Sequence, residues 1–104
     1  MSAFTLTQKA KADLKDIARF TQKRWGRDQR NKYLELLDSS FHKLACNPLS
    51  GRDCNDVKTG YRKFPTGSHV IYYRSTSATE IEIVRVLHEG MDVEIQLSGK
   101  DEAH

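Results

Sequence analysis

The chain is short, rich in charge and moderately basic. It has 104 residues, of which 30% are charged and 38% hydrophobic, and its formal net charge is +3. This length suits one domain with its own hydrophobic core and is too short for two, and the composition excludes a disordered chain. The positive charge favours an acidic partner, but it is too small to indicate nucleic-acid binding by itself.

Targeting and metal-binding patterns are missing from the sequence. No apolar run approaches the ~20 residues that cross a bilayer, and no basic segment precedes an apolar one at the N-terminus, so we expect a cytoplasmic protein without membrane contact. Cys46 and Cys54 match no zinc motif and no CxxC motif. Because the four histidines also lack HxH or HxxxH spacing, we predict no metal and no cofactor.

The first half of the chain predicts one strand and two helices. Residues 3–6, AFTL, alternate in polarity and read as an opening strand. In residues 8–25 and again in 28–45, apolar side chains recur at steps of three and four, which is typical of helices with one buried face. A connector of two or three residues at Gly26 predicts an antiparallel helical hairpin.

Trp25 is the largest side chain on the apolar stripe of the first helix. We expect it to anchor the hairpin against Tyr33 or Leu37. If it is well buried, its replacement by alanine would cost ~3 to 5 kcal/mol of stability.

The second half of the chain predicts strands. Residues 47–60 contain turn formers without a period and are expected to be a loop. The runs YRKF, HVIYYR and EIEIVRVL that follow are rich in β-branched and aromatic residues, and the short spacers between them predict an antiparallel meander. We therefore predict one α+β domain over residues 1–97, with a mobile tail at 98–104. The helices should cover one face of a mostly antiparallel sheet and leave the other face exposed.

The predicted strands carry tyrosine and basic side chains that suit recognition of carboxylates or phosphates. Two arginines of this set, Arg62 and Arg74, share a sheet face only if the turn between their strands has an odd number of residues, and FPTGSHV permits both parities. An equally good alternative is that they pair with local acids such as Glu80 or Glu82.

The segment VRVLHEGMD could hold a metal-free ribonuclease site. His88, Glu89 and Arg85 are a possible base, acid and phosphate ligand. However, residues 88 and 89 would point to opposite faces of a strand, so they converge only if the strand has ended before them. The indication of catalysis is therefore weak.

Four separated segments together resemble the ParE family of bacterial toxins, within the wider RelE/ParE superfamily. They are ADLKDIARFTQKRWG, NPLSGR, GYRKFPTGSHVIYYR and VRVLHEGMD, and the likeness covers about residues 4–92. The resemblance implies the same strand, helical hairpin and antiparallel sheet. It also implies a toxin of a type II toxin-antitoxin system, held inactive by a ParD-type antitoxin whose acidic and apolar segment wraps the toxin.

The resemblance also implies a target. ParE toxins are expected to poison DNA gyrase without being enzymes and to meet operator DNA only through the antitoxin. One alternative is a ribosome-dependent mRNA endoribonuclease of the RelE kind, which commonly has a tyrosine near the C-terminus; here none follows Tyr73. The other alternative is a non-toxic partner of the antitoxin in repression.

Two groups of residues are the candidate binding sites. For the target the candidates are Arg85, His88, Met91 and Asp92, with His88 orienting the end of the strand by a hydrogen bond rather than acting in catalysis. For the antitoxin the candidates are Arg62, Lys63, Tyr72, Tyr73 and Arg74.

Overall fold

The computed structural model describes residues 3–55 and 58–90. These residues form an α+β fold of two helices and one five-stranded sheet. No helix in this described part is long and apolar enough to cross a membrane. In chain order the elements are β1 (Ala3–Leu6), α1 (Gln8–Trp25), α2 (Arg27–Cys46), a single 3-10 turn (Pro48–Ser50), β2 (Arg52–Asp53), β3 (Tyr61–Thr66), β4 (His69–Ser75) and β5 (Glu80–His88).

The sheet is mixed, with the strand order β1-β5-β4-β3-β2. The predicted meander is confirmed as β3, β4 and β5, and β1 joins it parallel to β5. The 3-10 turn and β2 lie in the segment predicted as a loop, because elements of two or three residues leave no periodic pattern. The register between β4 and β5 shifts at Tyr72, where Val84 is the extra residue of a β-bulge.

Local capping explains where the helical hairpin begins and turns. The Thr7 hydroxyl accepts a hydrogen bond from the Ala10 amide at 3.0 Å and donates one to the Val84 carbonyl at 2.7 Å. It thereby joins the start of α1 to β5. Gly26, with φ of +98°, separates the two helices, so the connector is shorter than the predicted two or three residues. A positive φ is readily adopted only by glycine.

The main core lies between the helical hairpin and one face of the sheet. It is formed by Ala10, Ile17, Leu37, Phe41, Leu44, Ala45, Ile71, Tyr73, Ile81, Ile83 and Val86. One polar contact crosses it, a 3.0 Å hydrogen bond between the buried hydroxyls of Ser40 and Thr66. The contact satisfies both groups, which would otherwise destabilise the core.

The other face of the sheet is covered in part, so the expectation that it is exposed is wrong. Cys54, Tyr72 and Leu87 form a second cluster there and are at most 3% exposed. The Cys54 amide donates to the Tyr61 carbonyl at 3.0 Å, which holds the segment after β2 close to the sheet. The boundary predicted between residues 97 and 98 lies outside the described residues.

Candidate functional site

A groove opens where the helical hairpin parts from the sheet. It lies between the end of α1, the start of α2, the turn between β3 and β4, and the end of β5, with a volume of about 700 Å³. We call it the hairpin groove and define it by Phe20, Trp25, Tyr33, His69 and His88. It combines apolar and aromatic walls with a few polar groups, as binding sites commonly do.

Two aromatic side chains stand exposed at the α1 side of the groove. Phe20 and Trp25 are each 64% exposed, so the prediction that Trp25 is a buried anchor of the hairpin is wrong. Thr21 is the last buried residue of α1, and the final turn of the helix runs past the core. The indole instead stacks with the Arg24 guanidinium, which lies 5.4 Å from the ring centroid.

The opposite wall of the groove is held by Tyr33 of α2. The Ser68 amide donates to the Tyr33 hydroxyl at 3.0 Å, and the hydroxyl oxygen lies 2.6 Å from Nδ1 of His69. Burial lowers the pKa of His69, and the neighbouring His88 lowers it further. Burial also raises the pKa of Tyr33, so the phenol keeps its proton and can donate it.

His88 lies at the groove edge and is exposed. Its Nδ1 accepts a long hydrogen bond of 3.4 Å from the Gly90 amide, and the next residue, Glu89, donates its amide to the Ser68 carbonyl at 3.1 Å. The strand end is thus tied to the turn between β3 and β4. The other two target-binding candidates of this segment, Met91 and Asp92, lie outside the described residues.

Arg85, the first of the target-binding candidates, is largely buried beneath α1. Its guanidinium makes two hydrogen bonds to the Asp13 carboxylate, at 2.8 and 2.9 Å, and Asp13 also accepts from the Val86 amide at 3.0 Å. Only 14% of the Arg85 side chain and 12% of that of Asp13 are exposed. A paired arrangement of this kind aligns α1 on β5 and leaves little of the cation for a partner.

One member of the ribonuclease site that the sequence suggested, Arg85, is already engaged by another residue. The Arg85 guanidinium is paired with Asp13, and Asp13 and His88 both line the hairpin groove. Glu89 is exposed in the turn that follows β5. Such a site needs a cation on the phosphate, and the paired, largely buried Arg85 leaves little of its charge for that role.

The two arginines among the antitoxin-binding candidates lie on opposite faces of the sheet. The turn between β3 and β4 has two residues, so Arg74 is paired with Tyr61 and Arg62 with Tyr73, and directly paired residues share a face. Arg74 forms an exposed ion pair with Glu82 at 2.9 Å, which is one of the alternatives left open by the sequence. The two arginines therefore cannot act as one surface.

Arg62 and Tyr73 hold the loop that follows α2. The Tyr73 hydroxyl donates to the Pro48 carbonyl at 2.6 Å and accepts from the Gly51 amide at 2.8 Å, and Arg62 donates to the Gly51 carbonyl at 2.9 Å. Tyr73 is fully buried and Tyr72 is 3% exposed, and burial raises the pKa of both phenols. Of the five antitoxin-binding candidates, Lys63 and Arg74 are the two basic residues on the sheet face opposite the helices.

Metal ligands do not gather in the part of the chain that the structure describes. In residues 3–55 and 58–90, no three His, Cys, Asp or Glu side chains lie close enough together to hold a metal ion. The hairpin groove, by contrast, was not predicted from the sequence. The signal that could have indicated it is Phe20, an aromatic residue that lies off the buried stripe of α1.

Comparison with known proteins defines the class to which this arrangement belongs. A solved structure described as the chromosomal ParDE TA system from P. aeruginosa matches with a TM-score of 0.71 at 21% identity, over 85% of this chain and 96% of that chain. At this identity the match establishes the fold alone, that of a small α+β domain.

The sequence comparisons define the family. A family model described as ParE toxin of type II toxin-antitoxin system, parDE, matches residues 4–93. The chain is 43% identical to Toxin ParE1 of Mycobacterium tuberculosis (strain H37Rv), over 92% of this chain and 98% of that protein. It is 36% identical to Toxin ParE1 of Caulobacter vibrioides, over 93% of this chain and 99% of that protein. The chain therefore belongs to the ParE toxin family of type II toxin-antitoxin systems, as the sequence motifs predicted.

Proposed function

We propose that this chain is a cytoplasmic toxin that poisons DNA gyrase by stabilising the complex of gyrase with cleaved DNA. The observation that carries the proposal is membership of the ParE family, with a match over residues 4–93. In this proposal the protein is not an enzyme. It blocks replication by binding, so the residues that matter are those that contact the target.

The arrangement of Arg85 supports a non-enzymatic mechanism. Its guanidinium is paired with Asp13 and largely buried, so little of its charge is left for the phosphate that metal-free RNA cleavage must stabilise. We propose that Arg85 acts by fixing the end of β5, while His88, Met91 and Asp92 contact gyrase. The exposure of His88 at the end of β5 is consistent with that role.

A reconstituted reaction tests the target. Purified protein is added to gyrase and plasmid, and both supercoiling and trapped cleavage of the DNA are scored. A parallel reaction contains programmed ribosomes and mRNA, and a third repeats the gyrase reaction with antitoxin present. We expect loss of supercoiling, accumulation of cleaved plasmid and rescue by the antitoxin. Cleaved mRNA with intact supercoiling would favour the RelE-like endoribonuclease, and antitoxin binding without either activity would favour the co-repressor.

The proposed partner is a ParD-type antitoxin with an acidic and apolar segment, through which the toxin would meet operator DNA. Lys63 and Arg74 lie on one face of the sheet. Arg74 is paired with Tyr61 in the β3–β4 register, and Tyr61 and Lys63 are two residues apart on β3 and therefore point the same way. Lys63 is partly exposed and Arg74 is exposed, and although Arg74 is paired with Glu82, two cations on one face favour an acidic segment and accelerate its association. Arg62, on the other face, hydrogen-bonds to the Gly51 carbonyl instead.

Charge reversal separates these two faces. The double variant Lys63→Glu/Arg74→Glu should bind the antitoxin more than tenfold more weakly, about 1.4 kcal/mol, as measured by calorimetry at low salt. Arg62→Gln is the matched comparison and should leave the affinity nearly unchanged. An unchanged affinity in the double variant would place the antitoxin on another surface.

A further inference from the structure

The contact between Tyr33 and the turn after β3 joins the helical hairpin to the sheet at the groove. Tyr33 belongs to α2, Ser68 lies in the turn, and His69 is the first residue of β4. The hydroxyl of Tyr33 contacts both Ser68 and His69. The turn also packs directly on the phenol ring, since a Cβ atom added at Gly67 would lie 2.6 Å from it. The hydroxyl and ring of Tyr33 together therefore hold this wall of the groove against the turn.

The hydrogen bonds that this hydroxyl can make depend on the protonation state of His69. A phenol has one hydrogen to donate and an oxygen that accepts. With His69 neutral and Nδ1 unprotonated, the phenol donates to Nδ1 and accepts from the Ser68 amide, so the phenol, Nδ1 and this amide are all satisfied. Once Nδ1 carries a proton, it must donate to the phenol oxygen, and the phenol hydrogen loses its acceptor. A half-buried donor without an acceptor is destabilising.

We propose that Tyr33 and His69 form a pH-sensitive latch, which holds α2 on the β3–β4 turn while His69 is neutral and opens the hairpin groove when His69 is protonated. The latch is a property of the fold, and it operates whether or not gyrase is the target.

The charges around His69 come from three elements. The His88 ring of β5 faces it edge-on at a centroid distance of 5.6 Å and repels a proton on His69 when it is itself charged. Two carboxylates, Asp13 and Glu89, favour protonation, but the charge of Asp13 is compensated by Arg85. Asp16 and Arg24 of α1, which line the same groove, have opposite charges.

The direction of the pH effect follows from the lowered pKa of His69. In the unfolded chain the imidazole titrates near its ordinary value of about 6.5. A folded-state pKa below that value makes the stabilisation complete above about pH 6.5 and removes it progressively as the pH falls towards the folded value. The latch is therefore closed near neutral pH and opens in mild acid.

Amide hydrogen exchange of the wild-type, full-length protein tests the latch directly. The reporter is the Ser68 amide, which donates to the Tyr33 hydroxyl. The internal control is the Ala10 amide, which donates to the Thr7 hydroxyl at the start of α1. After correction for the intrinsic exchange rate, we expect protection of Ser68 to fall about fivefold between pH 7.5 and 5.5, as for the loss of one hydrogen bond. The fluorescence of Trp25, the single tryptophan, should change over the same range because it lines the groove.

Three variants test whether His69 and Tyr33 cause the pH dependence of Ser68 protection. His69→Gln keeps an acceptor for the phenol and cannot titrate, so protection of Ser68 should become independent of pH. Tyr33→Phe removes the acceptor of the Ser68 amide, so protection should be low at both pH values. His42→Gln, an exposed histidine paired with Asp38 at 3.4 Å, should behave as wild type. Equal protection of Ser68 at pH 7.5 and 5.5 in the wild-type protein would overturn the proposal, as would an unchanged pH response in His69→Gln.

Discussion

The interface between α1 and the end of β5 differs sharply from the hairpin groove beside it. At the first, Asp13 is nearly closed off from solvent by a paired guanidinium and a backbone amide. At the second, two aromatic side chains of the same helix, Phe20 and Trp25, remain 64% exposed. The comparison indicates that charge aligns the elements of this fold where it is buried, whereas apolar area is left accessible where the hairpin overhangs the sheet. Exposed apolar patches of this kind commonly mark interaction surfaces.

Between the two regions, the larger effect on stability is expected at the buried ion pair. Asp13→Ala leaves the Arg85 guanidinium and the Val86 amide without this acceptor, and breaking a largely buried pair from one side should cost about 3 kcal/mol of unfolding free energy. Asp16→Ala is the matched control, because Asp16 is 76% exposed and lies 3.7 Å from the similarly exposed Arg19. It should cost less than about 0.5 kcal/mol. Chemical denaturation measures both, and similar losses in the two variants would mean that the pair contributes little to alignment.

The turn beneath Tyr33 should be the next most sensitive point. Gly67→Ala introduces a Cβ atom 2.6 Å from the Tyr33 ring at a residue with φ of +58°. We expect a loss of about 2 to 3 kcal/mol from backbone strain and overpacking together. Gly60→Ala isolates the strain, since Gly60 has φ of +86° and a Cβ atom added there would meet nothing within 4 Å. It should cost only about 1 kcal/mol.

The difference between these two glycine variants, measured by chemical denaturation, shows how tightly the groove wall packs. If Gly60→Ala and Gly67→Ala are equally destabilised, the Tyr33 ring is easily displaced by the added Cβ atom and packs only loosely on the turn. If Gly67→Ala is destabilised much more, the ring is held in place by its contacts to the turn.

Replacement of Trp25 should have a smaller effect on stability. An exposed side chain loses little burial on truncation, so Trp25→Ala should cost less than about 1 kcal/mol and melt within a few degrees of wild type. Leu37→Ala is the contrast on the neighbouring helix: Leu37 is 1% exposed, and its loss should cost about 2 to 5 kcal/mol. Thermal unfolding followed by circular dichroism compares the two. A large loss in Trp25→Ala would restore the indole to the role of an anchor.

Local pattern was sufficient to predict most of the fold. The helices at Gln8–Trp25 and Arg27–Cys46 and the three strands of the meander have strong periods and clear ends, so their existence and order follow from the sequence. The parallel pairing of β1 with β5 carries no such signal, because it joins residues far apart in the chain. The Asp13 to Arg85 pair is hidden for the same reason.

The candidate site was much less predictable. A helical stripe gives the face of a residue but not how far the partner surface extends, and Trp25 was misassigned because α1 runs past its last buried residue, Thr21. The faces of Arg62 and Arg74 depended on the parity of one turn, which the two-residue connection between Thr66 and His69 determines. Such details of register and extent are set by tertiary packing rather than by local pattern.

The smallest effect is expected at the open end of β5. His88→Gln keeps an acceptor for the Gly90 amide, whose bond to His88 is already long at 3.4 Å, and the glutamine cannot titrate. Loss of a general acid or base would lower activity about 100-fold or more. We instead expect His88→Gln to retain most of its toxicity, scored as growth arrest on induced expression, with unchanged melting and antitoxin binding. Growth arrest reports toxicity whichever cellular target is poisoned, so this test does not depend on the proposal that the target is gyrase. Complete loss of toxicity in a folded, antitoxin-binding variant would show that toxicity requires the imidazole of His88 itself, and would favour an active site at the end of β5 over a contact that glutamine can replace.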